Sequence, residues 1–115
     1  MTIIGSYEHH PDLGLEAVVF LDPESEACVQ LQRDLPGGPR ADQHALSTGA
    51  SAPVVGGVLQ WRRLPAVDGG AERFEFALNR RATALFADEV ISFEVVAVDG
   101  QSVDELAAHI ERLLS

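Results

Sequence analysis

The sequence predicts an α+β domain. It should be a mostly antiparallel β-sheet of about five to seven strands, with a short helix before the last strand and an amphipathic helix at the end. Three observations support this prediction. Short segments alternate between apolar and polar residues, turn residues separate them, and the final residues repeat apolar side chains at helical spacing. The 115 residues, 46% of them apolar and 23% charged, predict one globular domain over residues 1–115.

The first strands are predicted as a hairpin. Leu15–Leu21 is short and rich in β-branched residues, and residues 27–33 alternate with a period of two. Residues 22–26 are short enough to join these two strands directly. Residues 43–48 then indicate a weak, exposed strand.

The middle of the chain predicts a further hairpin. Residues 54–64 indicate one strand, within which Gly56-Gly57 marks a bulge or a close backbone approach. Beyond the glycines, Leu59 and Trp61 share one face, so Trp61 is expected mainly in the core. Asp68-Gly69-Gly70 is typical of a hairpin turn.

The last third predicts strand, helix, strand and helix. Residues 73–78 place three apolar side chains on a common face, and Asn79 is a good cap for a helix over Arg80–Phe86. Residues 89–98 are apolar on both faces, which predicts a central strand covered by the C-terminal helix. That helix, 102–114, starts with a capping box formed by Ser102 and Glu105.

Charge is unevenly distributed along the chain. The total is −10, with arginine as the only strongly basic residue type. Residues 1–34 carry −6, residues 35–87 carry +2 and residues 88–115 carry −6. This charge argues against nucleic acids and anionic membranes as partners. If the two acidic segments lie side by side, they form a negative surface suited to a basic protein.

The hypothesis of a protein-binding surface singles out carboxylates in predicted loops and at a strand end, together with an aromatic anchor. The candidate partner-binding residues are Asp12, Asp22, Glu24, Glu26, Asp34 and Trp61.

Residue types that carry chemistry give no enzyme signature. Glu8-His9-His10-Pro11-Asp12 is the densest set of potential metal ligands, but neighbouring histidines on a strand point to opposite faces. We therefore interpret it as a solvated N-terminal loop. Cys28 is predicted to be a partly exposed, passive thiol, because no motif supplies a base. We expect no enzymatic activity, no cofactor and no metal.

The order of segments resembles the tenth family of immunity proteins from bacterial polymorphic toxin systems. Three short motifs carry the resemblance: a strand closing on Gln30-Leu31-Gln32-Arg33, an acidic stretch at Ala41-Asp42-Gln43, and Val55-Gly56-Gly57-Val58, in which Val55 replaces the family's usual tyrosine. The late order of strand, short helix, strand and closing helix over residues 74–114 is similar as well.

The resemblance implies a non-enzymatic cytoplasmic protein that binds and neutralises a cognate toxin domain, as a monomer or a homodimer. One cysteine and the lack of a recognisable secretory signal at the start of the chain also favour the cytoplasm. Two alternatives stay open: an acidic secretion chaperone for an effector, and a small-ligand-binding domain with a pocket in the sheet.

Overall fold

A single sheet organises the chain in the computed structural model, which describes residues 2–49, 51–67 and 70–115. Within these residues the sheet has eight strands, in the spatial order β5-β4-β3-β2-β1-β8-β7-β6. The bounds are β1 Thr2–His10, β2 Leu15–Leu21, β3 Cys28–Asp34, β4 Ala45–Ser47, β5 Val54–Val55, β6 Val58–Leu64, β7 Arg73–Leu78 and β8 Val90–Ala97, with helices α1 Arg80–Phe86 and α2 Val103–Leu114.

The α+β class and the two helices are confirmed, but the predicted strand number is wrong. Residues 2–10, predicted as a loop in part, form β1, which pairs antiparallel with β2 and parallel with β8. The predicted strand 54–64 is divided at the glycine pair into β5 and β6. The other neighbouring strands pair antiparallel.

The glycine pair makes the sheet curl into a half-barrel. β5 and β6 are the two outermost strands, yet only Gly56 and Gly57 separate them. Gly56 has a φ of +66°, in the left-handed region that glycine adopts without strain. A Cβ atom on Gly57 would lie 3.1 Å from the Cβ of Leu46 and 3.5 Å from that of Ala82. The expected close approach is therefore present. The glycine pair itself connects the two edge strands of the sheet.

Helix α2 fills the concave side of this half-barrel. Its apolar stripe meets side chains from the central strands, because residues 3–4 apart lie on one helix face. A Cβ atom on Gly5 would lie 2.8 Å from Leu106 Cδ1, so strand and helix approach closely there. The buried residues that form this core are Ile3, Val18, Phe20, Leu31, Leu46, Val58, Phe74, Phe76, Leu78, Ala82, Val95, Leu106, Ala107, Ile110 and Leu113.

Both predicted helix caps are present. Asn79 Oδ1 accepts a hydrogen bond from the N–H of Ala82 at 2.9 Å. Ser102 Oγ accepts one from the N–H of Glu105 at 3.1 Å. These bonds satisfy amide groups that have no acceptor inside the first helical turn.

Two predictions about the flanking strands are wrong. β4 is buried rather than exposed, because β3 and β5 cover its two edges and Leu46 enters the core. The predicted faces of Val58 and Leu59 are also wrong, because a register shift in β6 places Val58 in the core and leaves Leu59 70% exposed. Trp61 is partly buried against the core. The predicted turn residues Asp68 and Gly69 lie outside the described residues.

The close approach at Gly5 yields a test of the packing. Gly5→Val should lower the free energy of unfolding by about 1–3 kcal/mol, because the added side chain overpacks the contact with Leu106. Ser6→Val, the neighbouring position on the opposite face, should change it by less than about 0.5 kcal/mol. Urea denaturation followed by circular dichroism measures both. Equal stabilities of the two variants would contradict this packing.

Candidate functional site

The sheet has one face covered by α2 and one uncovered face. On β1, Gly5 approaches Leu106, and Tyr7 stacks on His109 of the same helix. Because side chains alternate along a strand, Ile4 and Ser6 point away from α2. We call the face that carries Ile4 and Ser6 the outer face.

The outer face of the central strands has an apolar centre. Ile4 on β1 lies beside Leu21 on β2 and beside Val96 on β8. Leu21 and Val96 are each 40% exposed. An open face of an antiparallel sheet is usually polar, so these exposed apolar residues depart from the common pattern. We define the outer apolar patch as Ile4, Val19, Leu21, Val96 and Val98.

Uncharged residues surround this patch across the strands. Ser6 lies opposite Val19, and Cys28 and Gln30 on β3 lie opposite Leu21 and Val19. Cys28 is half-buried, and its Sγ atom is 3.7 Å from Gln30 Nε2. Charged side chains enter the outer face of β1 and β8 at Glu8 and Glu94. The centre of this face is therefore apolar and neutral. Glu8 and Glu94 lie beyond it, and Arg73 on β7 lies opposite Glu94.

The topology also brings the two acidic chain segments together. β1, β2 and β3 belong to residues 1–34, and β8 belongs to residues 88–115. Since β1 pairs with both β2 and β8, these segments form the middle of the sheet. The near-neutral segment 35–87 supplies the flanking strands.

The β2–β3 loop holds three of the predicted binding residues. Glu24 and Glu26 are exposed, whereas Asp22 is only 4% exposed. Asp22 accepts hydrogen bonds from the Ser25 hydroxyl at 2.8 Å and the Glu24 N–H at 3.0 Å. These bonds lower the pKa of Asp22. Asp22 thus shapes the loop, and Glu24 and Glu26 are its accessible carboxylates.

Asp12 and Asp34 lie at the opposite end of the sheet. Asp12 is exposed in the turn between β1 and β2. Asp34 pairs with Leu15 at the start of β2 and accepts a hydrogen bond from the Arg40 N–H at 3.0 Å. The seven residues of β2 separate this group from the 22–26 loop by about 23 Å. The predicted carboxylates therefore frame the outer face from two ends.

Trp61 lies on the side of the sheet that faces α2. Its ring centroid is 5.4 Å from that of Phe74 and 6.0 Å from that of Phe76, and the indole is half-buried. Its Nε1–H donates a hydrogen bond to Glu111 Oε1 on α2 at 2.9 Å. The structure does not bring Trp61 together with the predicted carboxylates.

A polar cluster that sequence reasoning missed fastens α2 to the sheet. Glu16 is 6% exposed and accepts hydrogen bonds from Tyr7 Oη at 2.7 Å and from Arg112 Nη1 at 2.8 Å. Arg112 Nη2 lies 2.7 Å from the other Glu16 oxygen and 2.8 Å from His109 Nδ1. The hydrogen bond from Arg112 lowers the pKa of Glu16 despite its burial.

The rings of Tyr7 and His109 complete the cluster. They stack with centroids 3.6 Å apart and an angle of 7° between their planes. Burial lowers the pKa of His109, and the neighbouring Arg112 cation lowers it further. Burial raises the pKa of Tyr7, and the hydrogen-bonded, negatively charged Glu16 raises it further. Each polar group of the cluster has a partner inside it. The cluster therefore serves to hold α2 against the sheet.

Beside this cluster is a cleft of about 300 Å³ lined by Glu16, Arg33 and Arg112. Arg33 Nη1 donates to the backbone oxygens of Leu113 at 3.2 Å and Ser115 at 2.7 Å, and Arg33 Nε donates to that of Ala41 at 2.6 Å. These bonds cap the end of α2. The residues that line the cleft therefore serve the attachment of the helix.

The histidine cluster is the end of β1 rather than the loop that was expected. His10 Nε2 lies 2.8 Å from Glu8 Oε1, and His9 projects from the opposite face of the strand. Across residues 2–49, 51–67 and 70–115, no group of three or more His, Cys, Asp or Glu side chains is placed to hold a metal ion. Neither described helix is long and apolar enough to span a membrane.

Comparisons with protein-family models, curated proteins and solved structures gave no match to this chain. The immunity-protein resemblance accordingly stays a prediction.

The polar cluster predicts that the protein loses stability on acidification. In the unfolded chain a histidine titrates near pH 6.5. In the folded state burial lowers the pKa of His109 in the cluster, and it also lowers the pKa of His44, whose Nε2 accepts the Val58 N–H at 3.1 Å outside the cluster. The unfolded state then binds more protons, so the free energy of unfolding falls as pH drops below about 7. Loss of the Glu16 carboxylate adds to the fall at lower pH.

Urea denaturation between pH 8 and pH 5 measures this dependence. His109→Gln should reduce the proton uptake on unfolding by at most about one proton. The same slope in the wild type and the variant would show that His109 does not contribute.

Proposed function

We propose that the protein is a non-enzymatic binding protein that neutralises a cognate toxin domain by docking it on the outer face of the sheet. The observation that carries this proposal is the outer apolar patch on the uncovered face of the central strands. Protein interfaces commonly combine an apolar centre with a polar rim. The immunity-protein resemblance supports the same function and the same kind of partner.

The charges favour a basic partner over a second copy of the chain. The central strands come from segments that carry −6 each. Glu8, Glu94 and the exposed Glu24 and Glu26 lie around the patch, and carboxylates outnumber the exposed Arg73 that lies opposite Glu94. Two copies docked through this face would bring like charges together, whereas a basic toxin domain would be attracted and its association accelerated.

An acidic secretion chaperone is the alternative that makes the most similar use of an apolar surface. Such a chaperone would hold an unfolded effector segment and would form a stable homodimer. The repulsion between two acidic rims speaks against dimerisation through the outer face. Light scattering of the wild type and of Val96→Asp separates the two functions, because only a dimer formed through the outer face would be dissociated by this substitution.

A charge placed in the outer apolar patch tests the proposal. Val96→Asp should weaken binding of the toxin domain encoded beside this gene by at least about tenfold, because docking would bury an unpaired carboxylate. Leu13→Asp is the matched control, since Leu13 is 66% exposed in the turn between β1 and β2. This control should change the affinity by less than about threefold. Isothermal titration calorimetry measures the affinities.

Three outcomes would contradict the proposal. The first is that the adjacent gene product shows no affinity for the protein, and the second is that Val96→Asp binds it as tightly as the wild type does. The third is a stable homodimer, detected by light scattering, that Val96→Asp dissociates. The last result would favour the chaperone.

The carboxylates around the patch predict a salt-dependent affinity. Raising the salt concentration from 50 to 300 mM should weaken toxin binding, mainly through slower association, because the added ions screen exposed charges. Glu24→Gln combined with Glu26→Gln should reduce this salt dependence. Stopped-flow measurement of the association rate at both salt concentrations tests this. A rate that is independent of salt would show that the acidic rim does not attract the partner.

A further inference from the structure

Trp61 lies between two clefts that separate β6 from α2. One cleft, of about 270 Å³, is lined by Leu59, Trp61 and Leu114 among others. The second, of about 400 Å³, lies along Trp61, Ala107 and Ala108. Small side chains on α2 leave room beside the indole, and the two clefts meet at Trp61. The indole therefore presents accessible aromatic surface in a groove between the outermost strand and the helix.

A carboxylate is held in this groove by the indole itself. Glu111 Oε1 accepts the Trp61 Nε1–H at 2.9 Å, and Glu111 lines both clefts. Across residues 2–49, 51–67 and 70–115, no cation lies within salt-bridge distance of Glu111. The groove thus combines an aromatic ring with a positioned carboxylate that lacks a cationic partner in the described chain.

The other charged groups of the groove leave it negative. Arg63 contacts Glu72 at 2.8 Å and also pairs with Asp104. These two carboxylates outnumber the one guanidinium, and Glu111 adds a further negative charge. The charged residues that line the clefts, Arg63, Asp104 and Glu111, sum to −1, and Glu72 on Arg63 brings the sum to −2. This negative charge favours a cationic side chain in the space beside Trp61.

We propose that the Trp61–Glu111 groove binds an arginine side chain on a segment of the partner protein that extends past strand β6 to the α2 side of the sheet. The guanidinium stacks on the indole and pairs with the Glu111 carboxylate. A guanidinium has the planar shape that stacks on an aromatic ring and the parallel N–H groups that match a carboxylate. The partner's identity rests on the proposed function, but the chemistry of the groove is independent of it and can be tested without the partner.

The groove has a built-in reporter, since Trp61 is the only tryptophan of the chain. A ¹H–¹⁵N spectrum therefore contains one indole N–H signal. We would titrate the full-length protein with the peptide acetyl-Gly-Arg-Gly-amide and, separately, with the same peptide carrying citrulline, which is similar in shape but uncharged. The arginine peptide should shift the indole signal in a saturable way with millimolar affinity, and the citrulline peptide should bind at least about fivefold more weakly.

Two variants separate the groove from the overall acidity of the protein. Glu111→Gln keeps an oxygen that can accept the Trp61 N–H but removes the charge, and it should weaken arginine-peptide binding by about fivefold or more. Glu89→Gln makes the same change at an exposed residue before β8 and should leave the affinity unchanged. Equal binding of both peptides, equal affinities of the two variants, or an indole signal that does not move would each overturn the proposal.

The peptide titration and the Val96→Asp experiment can refute their two proposals independently of each other. If the arginine peptide binds in the groove while Val96→Asp does not affect toxin binding, the proposed docking on the outer face is wrong and the proposed arginine site is supported. If Val96→Asp weakens toxin binding while the indole signal does not move, docking on the outer face is supported and the proposed arginine site is wrong.

Discussion

The architecture depends on one covalent constraint, the connection of the two outermost strands by Gly56 and Gly57. β5 pairs with β4 and β6 pairs with β7 at the far side of the sheet, so the strands between them have to curve until both edges meet. Gly56 supplies a left-handed backbone, and Gly57 lets the corner lie against Leu46 without a side chain. A larger residue at this corner would oppose the curvature that creates the concave side.

Curvature makes the two faces of the sheet unequal. The concave side encloses a volume that one amphipathic helix fills, and the bonds of Glu16, Arg33 and Trp61 hold that helix from three strands. The outer face receives neither helix, because Ala82 of α1 also packs into the core. A strand that is apolar on both faces, as β8 is, therefore gains cover on one face and leaves Val96 exposed on the other.

Local patterns predicted the elements, whereas long-range pairing decided their arrangement. Alternation identified β3 and β7, β-branched residues identified β2, and the capping residues Asn79 and Ser102 predicted the helix starts closely. The sequence did not predict β1, because its stability comes from pairing with β2 and with β8, a strand near the other end of the chain. The polar cluster was not predicted for the same reason, since Glu16 and Arg112 are 96 residues apart. The apolar second face of residues 89–98 was the one sequence signal of the outer apolar patch.

The strand order also explains how charge and hydrophobicity share one surface. Parallel pairing of β1 with β8 joins the two acidic segments in the middle of the sheet, but period-two alternation decides which residues of these strands reach the outer face. At the centre the outward positions are Ile4, Ser6, Val19 and Val96, so the carboxylates are displaced to strand ends and loops. A partner that matches this surface needs an apolar centre and a basic periphery. That combined requirement is more selective than attraction to an acidic protein alone, because a highly charged polycation would leave the apolar centre unmatched.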